Sequence, residues 1–447
     1  MSTHAERLRI LLSSGPVSPR VLLEKLSTSQ PTLSRALAVL GDDLVRIGSA
    51  RSIQYALRDP SRGFASFPVY RIDPLGRLVR LGVLTPIRPE GFVMHQDDGK
   101  ALHSEGLPWW LLDMRPQGFL GRAYAASHPT LLGLPTNVSE WSDTHALRAL
   151  LGHGQDPAGN LLLGDVAREH FLNASLPPPV APESKPHEYV QLARAAMLGD
   201  VATSSAGGEQ PKFTVFADTP HGPRHLLVKF SLAPTHPVTT RWRDLLLAEH
   251  HALETLRGAG IAAAKSWVLD HGGQRFLEVE RFDRAGATGR HAMHSLAALE
   301  GEFVGKPRAP WPVLVEELAR QKVVDPAATQ GTQRLFAFGR LIGNSDMHTG
   351  NLSFVGDTGR PYALAPAYDM LPMAFAPGSG GGMRDDLAPA DLHPSVAHSV
   401  WRQMLGVARL YLDRLQADER FSAGFAPCLA ALNQHLQLAA DRVSRLG

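Results

Sequence analysis

Apolar side chains recur at helical spacing over residues 5–12, and Gly15 and Pro16 break the pattern, as such residues do at a helix end. A second helix is expected over 19–26, with Ser18 as its cap and Pro19 in its first turn. A short turn at 27–29 leads to a third, over 30–40, which again opens with a cap and an early proline. Beyond Gly41 the spacing changes to alternation. Residues 44–47 and 52–57 read as two short strands around a basic tip at 48–51. From Phe64 onward, alternating runs at 67–72, 78–84 and 91–94 predict a small sheet. The stretch 109–121 reads as a buried element built around Trp109 and Trp110. The proline-rich segment 176–186 can continue neither a helix nor a central strand, and so marks a linker.

Past that linker a helix is expected over 189–198, then a loop of small residues at 204–212 and strands at 213–216 and 225–230. A long helix over 239–257 follows, then strands at 264–269 and 276–284 around the Gly272-Gly273 turn. From Arg334 the chain reads as helical up to residue 342. The glycine-rich segment 376–383 is a flexible loop, read either as lying near a substrate or as a plain surface linker. Amphipathic helices such as 400–415 and 425–446 close the chain and suit an all-α C-terminal lobe.

Composition narrows the class. At 447 residues the chain is too long for a single core, so two or three domains are expected, and an apolar content of 44% is enough to fill them. A net charge of +2 excludes a chain that coats nucleic acid or membrane over its whole surface, so any nucleic-acid contact must be local. A single cysteine, Cys428, excludes an intramolecular disulfide framework and fits a reducing compartment. The N-terminus lacks the apolar core of a signal peptide, and no apolar run reaches the length of a membrane span. The expectation is therefore a cytoplasmic protein without a membrane partner. The 20 histidines are scattered and form no zinc-ligand spacing, so His250-His251 and the His291/His294 pair are read as solvated faces or local packing.

The first sixty or so residues, with a tight turn between the second and third helices and two strands after them, resemble the winged helix-turn-helix domains of bacterial regulators. On that likeness the third helix enters the major groove with Gln30, Thr32, Ser34 and Arg35, while Arg46 and Arg51 of the wing touch the phosphate backbone. A protein-docking module of the same shape is the alternative.

Candidate chemistry concentrates in two stretches, GNSDMHTGN at 343–351 and APAYDM at 365–370. Asp346 and Asn351 stand five positions apart, and Asp369 follows as a lone carboxylate. Phosphoryl transfer needs these types: one carboxylate to accept the hydroxyl proton, and an amide oxygen with a second carboxylate to hold magnesium against nucleotide phosphates. The spacing matches the protein-kinase catalytic loop and its later metal-binding aspartate. Either stretch alone reads more often as a turn than as catalytic machinery, and it is the pair together that points to the chemistry. Upstream residues extend the pattern. The loop at 204–212 lets backbone amides approach phosphates at Gly207 and Gly208, although it is not a Walker A sequence. Lys229 interrupts an apolar strand, where a lysine is costly unless it is paired or meets a phosphate, and Glu249 of the next helix is its candidate partner. A snorkelling Lys229 and a solvated Glu249 are the plain alternatives. The strand ending at Glu280, with the ring of Phe282, forms a candidate hinge for adenine.

The series SSAGGEQPK, LLVKF, LEVERFDR, GNSDMHTGN and APAYDM resembles the HipA family, bacterial serine/threonine kinases of toxin–antitoxin modules, over roughly residues 64–447. The resemblance implies Asp346 as catalytic base, Asn351 and Asp369 as magnesium ligands, Lys229 as the phosphate-binding lysine and Glu280 and Phe282 as hinge contacts. His348, Gly207 and Gly208 fall among the nucleotide-binding positions. It also implies a regulatory serine that is autophosphorylated, for which Ser205 is the better match and Ser204 the close second. Family substrates are aminoacyl-tRNA synthetases. The departure is at the N-terminus, where the chain carries its own helix-turn-helix, as in a fused subgroup; this puts a separate small antitoxin in question.

The expected architecture is α+β: a winged helix-turn-helix at 1–60, an α/β subdomain at 61–176, and a two-lobed protein-kinase-like fold with a mixed N-lobe at 177–285 and a helical C-lobe at 286–447. The expected cofactors are ATP and Mg2+, and the expected partners a protein substrate and operator DNA. The competing reading is a transcription regulator whose kinase fold senses a ligand without catalysis. Lys229, Asp346, Asn351 and Asp369 are all present, which favours the enzyme.

Overall fold

The computed structural model describes residues 3–49, 52–127, 133–175, 178–198, 210–233, 235–378 and 380–445. Its first unit forms where the leucine spacing predicts helices: α1 (Thr3–Leu12), α2 (Pro19–Leu26) and α3 (Gln30–Leu40). The Ser18 hydroxyl accepts the Val21 amide at the start of α2, and Ser27 ends that helix in the left-handed conformation. Leu8, Leu12, Leu22, Leu26, Leu33 and Leu40 meet in one core. The strands β1 (Leu44–Ile47) and β2 (Gln54–Leu57) pair antiparallel. The second begins two residues later than expected because the Ser52 hydroxyl donates back to the Ser49 carbonyl and closes the turn. This hairpin is not free. Val45, Ile47 and Ala56 pack on Ile87 and Val93 of the next unit, and the His95 ring bonds the Arg46 carbonyl at 2.8 Å.

The middle unit is built on an antiparallel sheet of β3 (Phe67–Ile72), β4 (Leu78–Pro86), β5 (Phe92–Gln96), β6 (Ala101–Ser104) and, after the helices α4 (Gly118–Ser127) and α5 (Asp143–His153), β7 (Leu161–Leu163), in the order β6-β5-β4-β3-β7. Helix α6 (Gly164–Asn173) follows. The expected tryptophan-centred element is a 3₁₀ helix, Trp109–Met114, in which Leu111 and Met114 take the buried positions. Trp109 instead lies half-buried at a seam, its ring against His294 and Phe303 of the C-terminal lobe.

The proline-rich segment differs from a free linker. Val180 bridges to Ala217, and helix α7 (Lys185–Leu198) starts inside the expected linker because the Lys185 ammonium finds the Glu278 carboxylate at 2.7 Å. A four-stranded antiparallel sheet comes next, made of β8 (Lys212–Thr219), β9 (Gly222–Phe230), β10 (Ser266–His271) and β11 (Gln274–Glu280), in the order β10-β11-β9-β8. Tyr189 of α7 packs on Phe213 and Phe276, and its hydroxyl donates to Glu278. Between β9 and β10 runs α8 (Pro237–Gly258), whose Leu245, Leu246, Leu253 and Leu256 are fully buried.

Two short strands, β12 (Arg284–Ala285) and β13 (Gly289–Arg290), lead into the C-terminal lobe. Its helices are α9 (Leu296–Phe303), α10 (Trp311–Arg320), α11 (Ala327–Leu341), α12 (His398–Ala417) and α13 (Ala426–Ser444). The expectation of an all-α lobe is corrected by a small sheet of β14 (Met293–Ser295), β15 (Ser353–Val355) and β16 (Ala363–Leu364). These strands are too short to show a two-residue period, and the β14–β15 pair joins segments about sixty residues apart. Among the described helices none is long and apolar enough to cross a membrane. The paired histidines are packing groups: His250 bonds Ser266, His251 meets Asp418, His291 meets Asp357, and His294 lies between Trp109 and Tyr362.

Candidate functional site

The register of the four-stranded sheet sets Lys212 opposite Lys229, both buried at the edge of a cavity of about 920 Å³ between the sheet and the C-terminal lobe. The long amphipathic α8 brings Glu249 beneath Lys229, with no exposure to solvent. The Lys229 ammonium donates to both Glu249 oxygens, at 2.7 and 2.8 Å, and also to Asp369. Burial works against the ammonium's charge, but Asp369 and Glu249 outweigh it and hold Lys229 protonated well above the ordinary lysine value. Burial lifts the Glu249 carboxyl above its ordinary value despite Lys229. Asp369 is half-buried, and Lys229 and Lys212 outweigh the cost of that burial and hold its carboxyl below the usual range.

Across the cavity the chain leaves α11 at Ile342 and turns through residues 343–351. The buried Asn344 fastens this turn to itself and to the segment of Asp369: its side-chain oxygen accepts the Asp346 amide at 3.0 Å, and its side-chain nitrogen donates to the Asp369 carbonyl at 3.3 Å. The Asn351 side-chain nitrogen donates to the Asp346 carbonyl at 2.8 Å, which turns its oxygen the other way. Asp346 itself is about half exposed, with the His348 ring 4.0 Å away. The other nitrogen of His348 accepts the Gly350 amide. Asp369 holds a left-handed backbone, φ 51°, a conformation that aspartate tolerates but that costs energy.

At the opposite end of the cavity the Glu280 amide donates to the Lys265 carbonyl and the Arg281 amide to the His225 carbonyl. The Glu280 carboxylate is taken by Arg224 at 3.1 Å and Lys265 at 3.7 Å, and the ring of Phe282 lies 5.6 Å from that of Tyr368. Lys229, Glu249, Glu280, Phe282, Asp346, His348, Asn351 and Asp369 thus line one cavity. Gly207, Gly208, Ser204, Ser205 and Arg51 lie outside the described residues. Gln30, Ser34 and Arg35 are exposed on α3, Thr32 is half-buried and bonded to Ser29, and Arg46 points out from β1. These belong to a separate surface.

Sequence reasoning missed several groups. Lys212 entered it only as the last residue of the small-residue loop, and Asn344 only as a turn former. Asp113 and Tyr368 carried no signal, since each owes its place in the cavity to a contact with a distant segment. Among the described residues no three histidine, cysteine or acidic side chains converge as a metal cluster.

Residues 204–420, which supply most of this cavity, match the HipA-like C-terminal domain, and the molecule is of the HipA-like class. Residues 64–172 match the middle domain of YjjJ-like toxins. Over 439 residues the chain is 38% identical to Toxin YjjJ of Escherichia coli (strain K12), covering 98% of both. The chain therefore belongs to the HipA-like kinase toxin family. Among solved structures it is similar to the HipA of Shewanella oneidensis MR-1, in a complex with HipB and operator DNA, at 17% identity and a TM-score of 0.49, covering 84% of this chain and 97% of that one. The Helicobacter pylori proinflammatory kinase CtkA aligns at 12% identity and a TM-score of 0.40, over 54% of this chain and 94% of that one.

Proposed function

We propose that the protein is an ATP-dependent serine/threonine kinase that phosphorylates a protein serine, its own and one on a translation-related target such as an aminoacyl-tRNA synthetase. The observation that carries this reading is the buried Lys229, held by a helical glutamate and by Asp369 in the same cavity as Asp346 and Asn351. A lysine kept charged at the bottom of a cleft suits a phosphate group. Magnesium takes oxygen ligands, keeps several waters and needs only one or two carboxylates beside the phosphates, and the Asp369 carboxylate and the Asn351 amide oxygen are such a set. When bound, ATP and Mg2+ would supply the transferable phosphoryl group and neutralise its charge. The chain's own part is placement. Lys229 would hold the α- and β-phosphates, with Lys212 beside it; the hinge at Glu280 and Phe282 would receive adenine; Asp346, exposed at the cavity mouth, would take the proton of the attacking serine. Gly207 and Gly208 would cover the phosphates, His348 would line the site beside Asp346, and Ser205 or Ser204 would be the site of autophosphorylation.

Residues 1–60 support a winged helix-turn-helix reading, since α3 exposes Gln30, Ser34 and Arg35 along one side and Arg46 faces out from the hairpin. Operator DNA is then a partner of the same chain, and a separate small antitoxin is not required for that contact. The decisive experiment incubates purified protein with magnesium and labelled ATP and compares it with Asp346→Asn. Loss of the base should lower phosphorylation a hundredfold or more, about 3 kcal/mol of transition-state stabilisation. Equal labelling of the two proteins would overturn the assignment.

A further inference from the structure

Leu112, Asp113, Gln117 and Gly118 bring the middle unit into the cavity as a third wall. Asp113 stands out among them because it is acidic, half-buried and unused by the chemistry above. One of its oxygens accepts the Ser295 amide at 2.7 Å, at the start of α9. Burial raises its carboxyl against the Ser295 hydrogen bonds. A carboxylate offers about four acceptor positions, so Ser295 leaves room for further donors.

The place of Asp113 follows from a run of contacts along the cavity floor. Ser295 pairs with Ser353 across β14 and β15, the Ser353 and Tyr368 hydroxyls are 2.7 Å apart, and the Tyr368 ring lies against Phe282. Asp369 is the next residue after Tyr368. Asp113 is therefore joined to the wall of the cavity that carries both Phe282 and Asp369, and on the nucleotide reading a sugar between adenine and phosphates would face this wall.

The other acids of the cavity are committed elsewhere. Asp283, nearest the hinge, receives Arg281, Arg284 and the Gly159 amide on its two oxygens. Glu280 accepts Arg224 on one oxygen, while its other oxygen accepts no hydrogen bond from the described residues and lies 3.7 Å from the Lys265 ammonium; Glu249 and Asp369 are held by Lys229. Asp346 stands at the end assigned to the attacking serine.

We propose that Asp113 accepts hydrogen bonds from the ribose hydroxyls of the bound nucleotide, so that the middle unit is part of the nucleotide site and selects ribose over deoxyribose. This rests on the nucleotide-binding reading of the cavity. A neutral or cationic residue here would lose the match, because a vicinal diol presents two donors to one acceptor-only group.

The test measures equilibrium binding of ATP, 2′-deoxy-ATP and 3′-deoxy-ATP, with magnesium, to the full chain and to Asp113→Asn and Asp113→Leu, alongside thermal unfolding of each. Wild type should prefer ATP over at least one deoxy analogue by about tenfold, the worth of a hydrogen bond to a charged acceptor. That preference should shrink in Asp113→Asn and vanish in Asp113→Leu. A purely structural Asp113 would weaken all three nucleotides equally and leave their ratios unchanged, which would overturn the proposal. So would a wild type that binds all three alike. If wild type bound none of them, the nucleotide reading itself would fall, and this one with it.

Discussion

Lys229 shows what a single side chain does here. It is 4% exposed and meets two carboxylates, one buried beneath it and one from the loop across the cavity. Replacing it by methionine would remove the proposed phosphate contact and the two hydrogen bonds that the Glu249 carboxylate accepts from the ammonium. We expect Lys229→Met to lower phosphorylation at least a hundredfold and to cost on the order of 3 kcal/mol in folding. The pH dependence has a definite sign. The Glu249 carboxyl is raised above the ordinary 4.5 when folded, so the native state binds the proton more tightly than the unfolded chain does. Stability from that group is present at low pH and is lost as pH rises through the raised value. The deficit of Lys229→Met should therefore be smaller in urea unfolding at about pH 5 than at about pH 8. An equal deficit at both would mean that Glu249 finds another cation.

At the scale of elements, α8 does two jobs. Toward its middle it presents Glu249; about two turns earlier it buries Arg241. That guanidinium donates to the carbonyls of Phe375 and Arg384, each at 3.1 Å, and to the Asp385 carboxylate at 2.6 Å. One residue so closes both ends of the glycine-rich segment after Asp369, which the sequence presents as a loose loop. Within it, the Gly378 amide reaches the Gly382 carbonyl at 2.9 Å. Substituting Arg241 by methionine should raise amide exchange over residues 375–385 and lower stability by about 2 kcal/mol, with little change in exchange across β3–β6. Unchanged exchange in the loop would show that it is held by its own turn.

At the scale of the whole molecule, the middle unit is fastened to both lobes. Trp109 and Asp113 meet the C-terminal lobe, while Asp156, Pro157 and Gly159 meet the hinge through Arg281, Asp283 and Arg284. Burial works against both carboxylates, but Arg281 and Arg284 outweigh it and hold Asp156 and Asp283 below the ordinary 3.8. Their contribution is full above about pH 4 and disappears as pH falls below it, the reverse of the sign at Glu249. Asp283→Asn should cost about 3 kcal/mol and loosen residues 155–160 in amide exchange. The N-terminal unit is joined through apolar contacts instead. Deleting residues 1–60 would uncover Ile87 and Val93, both fully buried, so the truncated chain should bind a hydrophobic dye and melt lower than the full chain.

Local signals were strong where a residue acts on its own neighbourhood. The spans of α2 and α3 follow from leucine spacing, a serine cap and early prolines, and β3 appears over the alternating run that predicts it. That Asp346 and Asn351 share one short turn was legible from their spacing, because five positions of chain suffice to bring the Asn351 amide to the Asp346 carbonyl. Contacts between distant segments left no such trace. The β14–β15 pair, Lys185 on Glu278, Trp109 at the lobe seam and Asp113 on Ser295 each join stretches whose local patterns are indifferent to one another.

The amino-acid order alone determined which residues could carry phosphoryl chemistry and where the strongly periodic helices and strands lie, since propensity, capping and apolar period act within a few positions of chain. The tertiary structure decided which of those groups share a cavity, which charges are neutralised inside it, and that a separate unit walls one side. Those outcomes depend on burying charge only where a partner arrives from far along the chain, and no local pattern encodes that arrival.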